Sequence, residues 1–218
     1  AQIQVVEPFA EQAARLTSQF GVTVMSSAEA SLSRADLVVW AVKPQIFNQA
    51  ATQVRTHTLT ALHLSVAAGI RSDSIARWLG TERVVRAMPN TPALIGQGMT
   101  ALLARPAVTT ADRQVIESVV ATTGAHLWLE HEVQLDAVTA LSGSGPAYVF
   151  YFIEAMMEAG TEMGLDAAQA KQLAVATFVG ASALAQASDE PPQTLRERVT
   201  SKGGTTYAAL TAMEHRGV

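Results

Sequence analysis

The chain contains no cysteine. That excludes disulfides, thiol catalysis and cysteine-ligated zinc, and is compatible with the cytoplasm. Runs long enough to cross a bilayer are missing as well, since apolar stretches such as "LVVWAV" and "AYVFYFI" are short. No signal peptide is visible. Charge of one sign does not accumulate: 15 Lys and Arg stand against 19 Asp and Glu, for a formal net charge of −4. Without a polybasic run, nucleic acid and anionic membranes are not expected partners. The five histidines show no H-x-x-x-H spacing, so no metal site is expected. Two further absences bear on the fold. There is no G-x-G-x-x-G loop and no initiating Met.

What is present is a chain of 218 residues with 49% hydrophobic side chains, enough for one large or two small domains with a proper core. The first half alternates short β-type runs with helical patterns. "IQVV" (Ile3 to Val6) precedes a helix that Pro8 opens and Gly21 closes. "VTVM" follows, then a short helix from Ser26 or Ser27 to about Ala35. "LVVWAV" (Leu37 to Val42) is apolar throughout, as a strand covered on both faces is. Helices are predicted for Gln45 to Arg55, Ser72 to Leu79 and Ala111 to Thr123. The remaining strands are "LHLSVAA", "RVVRAM", "MTALLA" and "HLWLE". This alternation predicts an α/β domain with a parallel sheet.

Beyond Glu130 the pattern changes to Ala-rich helices, predicted at about His131 to Leu141, Pro146 to Met163, Ala167 to Ala187 and Gln193 to Val199, with a last helical run from Tyr207 to Glu214. The expected division is therefore residues 1–130 as a Rossmann-like domain and 131–218 as a helical domain.

In such a sheet, ligands lie outside the carboxyl ends of the strands. Three successive strand ends carry small or polar residues: Val42, Lys43 and Pro44; Ala67, Ala68 and Gly69; and Met88 to Thr91, including Asn90. Singly each reads as a turn; together they favour a cofactor crevice. Glu7 ends the first predicted strand. Two readings of it stand side by side: an acceptor for adenosine ribose hydroxyls, or a solvated acid near a helix N-terminus. If Ile3 to Val6 is the second strand of a dinucleotide fold, the first strand and its phosphate loop are expected upstream of Ala1.

"SGSGP" (Ser142 to Pro146) does not fit G-x-S-x-G. It reads as a close-packed turn against a cofactor or partner helix, with Pro146 starting a helix. "SKGGTT" (Ser201 to Thr206) combines Gly203 and Gly204 with three hydroxyls at the start of a helix. Backbone N–H groups, the helix dipole and the hydroxyls suit a compact anion such as a carboxylate. A Walker-type loop is not matched.

Four stretches, "AVKPQ", "RAMPNTPALIGQG", "DAVTALSGSGPAYVF" and "LRERVTSKGGTTYAAL", together resemble pyrroline-5-carboxylate reductases, nearly end to end and in the right order. The resemblance implies an NAD(P)-binding Rossmann domain and a helical dimerisation domain. It implies reduction of 1-pyrroline-5-carboxylate to L-proline with NADPH or NADH, the last step of proline biosynthesis, in a cytoplasmic homodimer or a larger homo-oligomer of dimers. It carries the substrate carboxylate to Ser201, Gly204, Thr205 and Thr206, with the Thr206 hydroxyl orienting the ring nitrogen. Glu132 maps to another substrate position. Val42, Lys43, Pro44, Ala67, Ala68 and Asn90 map to cofactor contacts, and Arg198 to one made from the partner subunit. Lys202 departs from the Pro of most members, and Glu7 from the Ser, Asn or Arg of NADPH-preferring ones. Two alternatives differ in kind. A β-hydroxyacid dehydrogenase would need a catalytic Lys; the one Lys between "SGSGP" and the anion turn is Lys171, without the accompanying Asn one turn on. A dinucleotide-binding regulatory protein would show no turnover.

Overall fold

The computed structural model describes residues 2–28 and 30–217, and the chain divides into two compact units, 1–146 and 147–218. In the first unit, β1 (Gln4–Val6) and β2 (Thr23–Met25) pair in parallel, with Val5 opposite Val24. The helix between them, α1 (Ala10–Phe20), ends at Gly21, whose N–H bonds the Thr17 carbonyl. A second sheet has five strands in chain order: β3 (Leu37–Trp40), β4 (Leu62–Ser65), β5 (Val84–Met88), β6 (Gly98–Ala104) and β7 (Gly124–Trp128). The short helix expected before β3 is a 3-10 turn over Ala30–Arg34; Glu29, inside the expected span, lies outside the described residues.

Strands β3, β4 and β5 are parallel, joined through α2 (Pro44–Val54) and α3 (Ser72–Leu79). One pairing departs from the parallel expectation: β6 runs antiparallel to β5. The connection between them contains only a 3-10 turn, Thr91–Ile95, and a link that short cannot carry a crossover. Parallel pairing resumes at β7 through α4 (Thr110–Val120).

The period-two alternation of β4 divides the core. Leu62 and Leu64 pack with Val85, Leu102 and Ile116. On the other side Trp40, Phe47, Ile75 and Leu79 form a second cluster built by α2 and α3. His63 and Ser65, the other two residues of β4, are also fully buried.

After β7 the expected helix from His131 to Leu141 is not continuous. It consists of α5 (Gln134–Val138) followed by a π turn over Thr139–Gly143. Leu135 packs with Ala101 and Leu103 of the sheet. That contact explains why the first unit extends to Pro146, past the end of the strands at which sequence composition changes.

The second unit contains α6 (Gly145–Glu162, all but its first residues), α7 (Ala167–Ala187), α8 (Pro192–Arg198) and α9 (Thr205–His215). Asp166 caps α7 in a reciprocal pair with Gln169. Helices α6 and α7 approach closely at Gly160, where an added Cβ would lie 3.2 Å from that of Ala170. Among the described residues, the buried side chains of these two helices are those of Ala170 and Ala174, with Gly160 beside them. Tyr148, Phe150, Tyr151, Val179 and Leu184 are exposed. Among the described residues, no helix is long and apolar enough to cross a membrane.

Candidate active site

The register of the parallel strands brings their carboxyl ends to one edge: Trp40 lies opposite Ser65, and Ser65 opposite Arg86. Three loops leave this edge side by side. The first carries Val42, Lys43 and Pro44; Lys43 is exposed at the N-cap of α2, and Pro44 presets the first helical turn. The second carries Ala67, buried, with Ala68 and Gly69 exposed. The third leads to Asn90. Its Oδ1 accepts from the Met99 N–H at 2.9 Å, and its Nδ2 donates to Ser142 Oγ at 3.2 Å. These two bonds fix the amide's orientation. Small residues on the second loop leave the backbone open to a ligand laid along the edge.

Glu7 follows β1. Its own N–H donates to the Met25 carbonyl at 2.9 Å, and its Oε1 accepts from the Phe9 N–H at 2.9 Å, at the entry to α1. The acid therefore stands at a strand end and a helix start at once, which accommodates both sequence readings.

Glu132 sits in the segment before α5, and its carboxylate is turned toward α3 and β5. Oε1 accepts from the Ser72 N–H at 2.6 Å and from Arg86 Nη1 at 2.8 Å, while Oε2 accepts from Ser72 Oγ at 2.6 Å. Burial alone would raise its pKa. The hydrogen bonds from Ser72 and Arg86, with the Arg86 charge, outweigh this and hold the carboxyl below its ordinary value. Sequence reasoning missed Ser72 and Arg86 as partners of Glu132, and Ser142 as the partner of Asn90. The signal for Arg86 was there: a cation inside a strand otherwise apolar needs a partner.

Gly143 closes the π turn where an added Cβ would meet the Met88 methyl at 2.6 Å, at the end of β5. The close approach read from "SGSGP" is thus made, within this unit, to a side chain at the strand end. π turns of this kind recur at functional sites.

In the second unit, the turn from Ser201 to Gly204 is closed by the Gly204 N–H on the Ser201 carbonyl at 3.0 Å. Gly203 has φ 76°, a conformation that residues with a Cβ rarely take. Gly204 is the N-cap of α9, and no side chain caps that helix. The first internal bond runs from the Ala208 N–H to the Gly204 carbonyl. The N–H groups of Thr205, Thr206 and Tyr207 precede it and point out of the helix start. Ser201, Thr205 and Thr206 are exposed beside them. Arg198, at the end of α8, is paired with Glu190, with Nη2 donating to Oε1 at 2.7 Å.

The sequence from residue 132 to 218 matches the family model described as pyrroline-5-carboxylate reductase dimerisation. Its start lies next to the change of pattern at Glu130. A pyrroline-5-carboxylate reductase from Pseudomonas aeruginosa is 43% identical over 220 aligned residues, covering 100% of this chain and 80% of that protein. The fold is similar to that of a solved pyrroline-5-carboxylate reductase from Coxiella burnetii, with a TM-score of 0.88 and 34% identity over 98% of this chain and 80% of that one. It is also similar to a Plasmodium falciparum pyrroline carboxylate reductase crystallised with NADP bound, with a TM-score of 0.82 and 30% identity over 91% of this chain and 79% of that one. An α/β sheet unit with its loops at one strand edge, an uncapped S-K-G-G-T-T helix start and this breadth of identity lead to one conclusion: the chain belongs to the pyrroline-5-carboxylate reductase family.

Proposed function

We propose that this protein reduces 1-pyrroline-5-carboxylate to L-proline at the expense of NADH or NADPH. The observation that carries the reading is the turn at the start of α9, open to a carboxylate, in a chain 43% identical to a reductase along its whole length. Residues 1–130 hold the cofactor, and residues 131–218 bind substrate and dimerise.

The strand edge fits a dinucleotide. Lys43 offers a cation, Ala67 and Ala68 leave room for close approach, and Asn90 presents a fixed amide. Val42 and Pro44 line the same edge, and Glu7 stands where an adenosine ribose is read. The reduced nicotinamide supplies the hydride. The chain's own task is to bind and orient. The N–H groups at the start of α9, with Ser201, Gly204 and Thr205, hold the substrate carboxylate. The Thr206 hydroxyl holds the ring nitrogen of the imine and orients its proton.

The exposed apolar side chains of α6 and α7 support a homodimer formed through this unit, and rings of dimers extend the same reading. In such a dimer Arg198 of one protomer serves the cofactor of the other. A cytoplasmic location belongs to the same reading, because the reduced cofactor is drawn from the cell interior.

The direct test is the initial rate of NADH and NADPH oxidation by the purified protein with the cyclic imine, and with a 3-hydroxy acid and oxidised cofactor as the control for a dehydrogenase. Imine-dependent oxidation is expected. Its absence with both cofactors would overturn the reading. Sedimentation at micromolar concentration should show no monomer.

A further inference from the structure

The carboxylate of Glu132 ties the start of α3, which follows the second loop, to β5, which leads into the third. Ser72, which gives it both a backbone and a hydroxyl donor, is the first residue of α3. It directly follows the loop of Ala67 to Arg71. Arg86, the third donor, lies in β5, which runs on to Met88 and Asn90. The segment after Glu132 reaches the end of β5 a second time, where Ser142 Oγ accepts from Asn90 at 3.2 Å. One carboxylate thus braces the elements flanking the second and third loops, and one hydroxyl anchors the Asn90 turn.

The brace is sheltered and balanced. The side chains of Arg86 and Glu132 are 11% and 18% exposed. Arg105 Nη1 donates to Ser72 Oγ at 3.1 Å, and its Nε pairs with Glu82 at 2.6 Å. Two cations therefore meet two carboxylates. Removing one member of such a set leaves the rest uncompensated. Three protein donors occupy most of the roughly four acceptor positions of the Glu132 carboxylate and hold it to α3 and β5.

We propose that Glu132 is a positioning residue, acting on cofactor binding through Ser72 and Arg86 by fixing the Ala67–Gly69 loop and the Asn90 turn. The proposal rests on the reductase reading above, and it replaces direct contact between the Glu132 carboxylate and the imine.

The test compares wild type, Glu132→Gln and Ser72→Ala. NADH and NADPH affinity is read from fluorescence titration without substrate, and KM is measured for cofactor and imine separately. Glu132→Gln keeps the shape but removes the charge that Arg86 and the Ser72 hydroxyl bind. It should weaken cofactor affinity about tenfold, the loss of a hydrogen bond to a charged group, and leave the imine KM within about twofold. Ser72→Ala retains the backbone donor and the Arg86 pair, so a smaller loss of about threefold in the same direction is expected. If the imine KM rises while cofactor affinity holds, Glu132 touches the substrate and the proposal fails. If only the melting temperature moves, the brace is structural and the proposal fails. Should Glu132→Gln not fold, Ser72→Ala decides by the same two readouts. Wild-type protein that binds neither cofactor would overturn the reductase reading itself, and this inference with it.

Discussion

The indole N–H of Trp40 donates to Nδ1 of His63 at 3.0 Å, across two neighbouring strands and wholly inside the core. Because Nδ1 accepts, the ring proton sits on Nε2, 3.0 Å from the Thr58 carbonyl oxygen. A second proton would have to enter Nδ1 against the Trp40 donor. Burial lowers the His63 pKa most; the Thr58 carbonyl works in the opposite direction, and the nearby Arg83 charge adds to the lowering. In the unfolded chain the imidazole takes up its proton near pH 6.5. Between that value and the folded pKa the unfolded state binds more protons, so stability is full above about pH 6.5 and falls as pH drops through this interval. The urea midpoint should therefore decline between about pH 7 and pH 5.5, before carboxylates protonate. A His63→Gln variant should be less stable at pH 7 and lose that slope. A flat wild-type profile over the same range would remove His63 from the account.

Asp112 gives the complementary dependence at lower pH. Arg83 Nη2 donates to its Oδ1 at 2.6 Å, and Asp112 shares a capping box with Thr109 at the start of α4. The hydrogen bond from Arg83 is the main cause of its lowered pKa; burial opposes it, and the bonds from Thr109 and the Arg83 charge assist. A lowered carboxyl pKa stabilises the fold above the ordinary Asp value and ceases to do so as pH falls through the folded one. Asp112→Asn should cost ~1–3 kcal/mol at pH 7, on the scale of a hydrogen bond to a charged group plus a cap. The deficit relative to wild type should shrink at about pH 3. Equal urea midpoints at pH 7 would contradict the assignment.

The turn before α9 makes a kinetic prediction. Ser201→Ala removes a hydroxyl beside the open N–H groups and should raise KM for the imine about tenfold. Gly203→Ala forces a Cβ into a backbone at φ 76°, which costs ~1–3 kcal/mol or displaces the turn. Its imine KM should rise as well, with cofactor KM unaffected. If both variants keep the wild-type imine KM, the carboxylate does not bind here.

Cofactor choice turns on Glu7. Its Oε1 is held by the Phe9 N–H at 2.9 Å, and its charge would face the extra phosphate of NADPH if the ribose lies at this strand end. Glu7→Ser should shift the ratio of kcat/KM values toward NADPH by ~1–2 kcal/mol, the scale of one charge contact near the surface. An unmoved ratio would mean that Glu7 does not face the ribose and serves only to hold the Phe9 N–H ahead of α1.

Local rules carried much of this protein. The helices Ser72–Leu79 and Ala167–Ala187 could be read to the residue, because a capping Asp166 and a closing Gly80 leave the backbone few alternatives. The strand ends and the S-K-G-G-T-T turn were legible for the same reason: glycine, hydroxyl and small residues act through backbone conformation, which is encoded within a few positions. What the sequence by itself could not supply were relationships between distant positions. The reversal of β6 depends on how short the Thr91–Ile95 link is in space. The break of the predicted helix after Val138 into a π turn depends on what Leu135 and Gly143 must pack against. The direction of the Glu132 carboxylate depends on Ser72 and Arg86, 60 and 46 residues away along the chain. A carboxylate takes the donors that folding brings to it, and only the tertiary structure decided that these lie at the start of α3 and within β5.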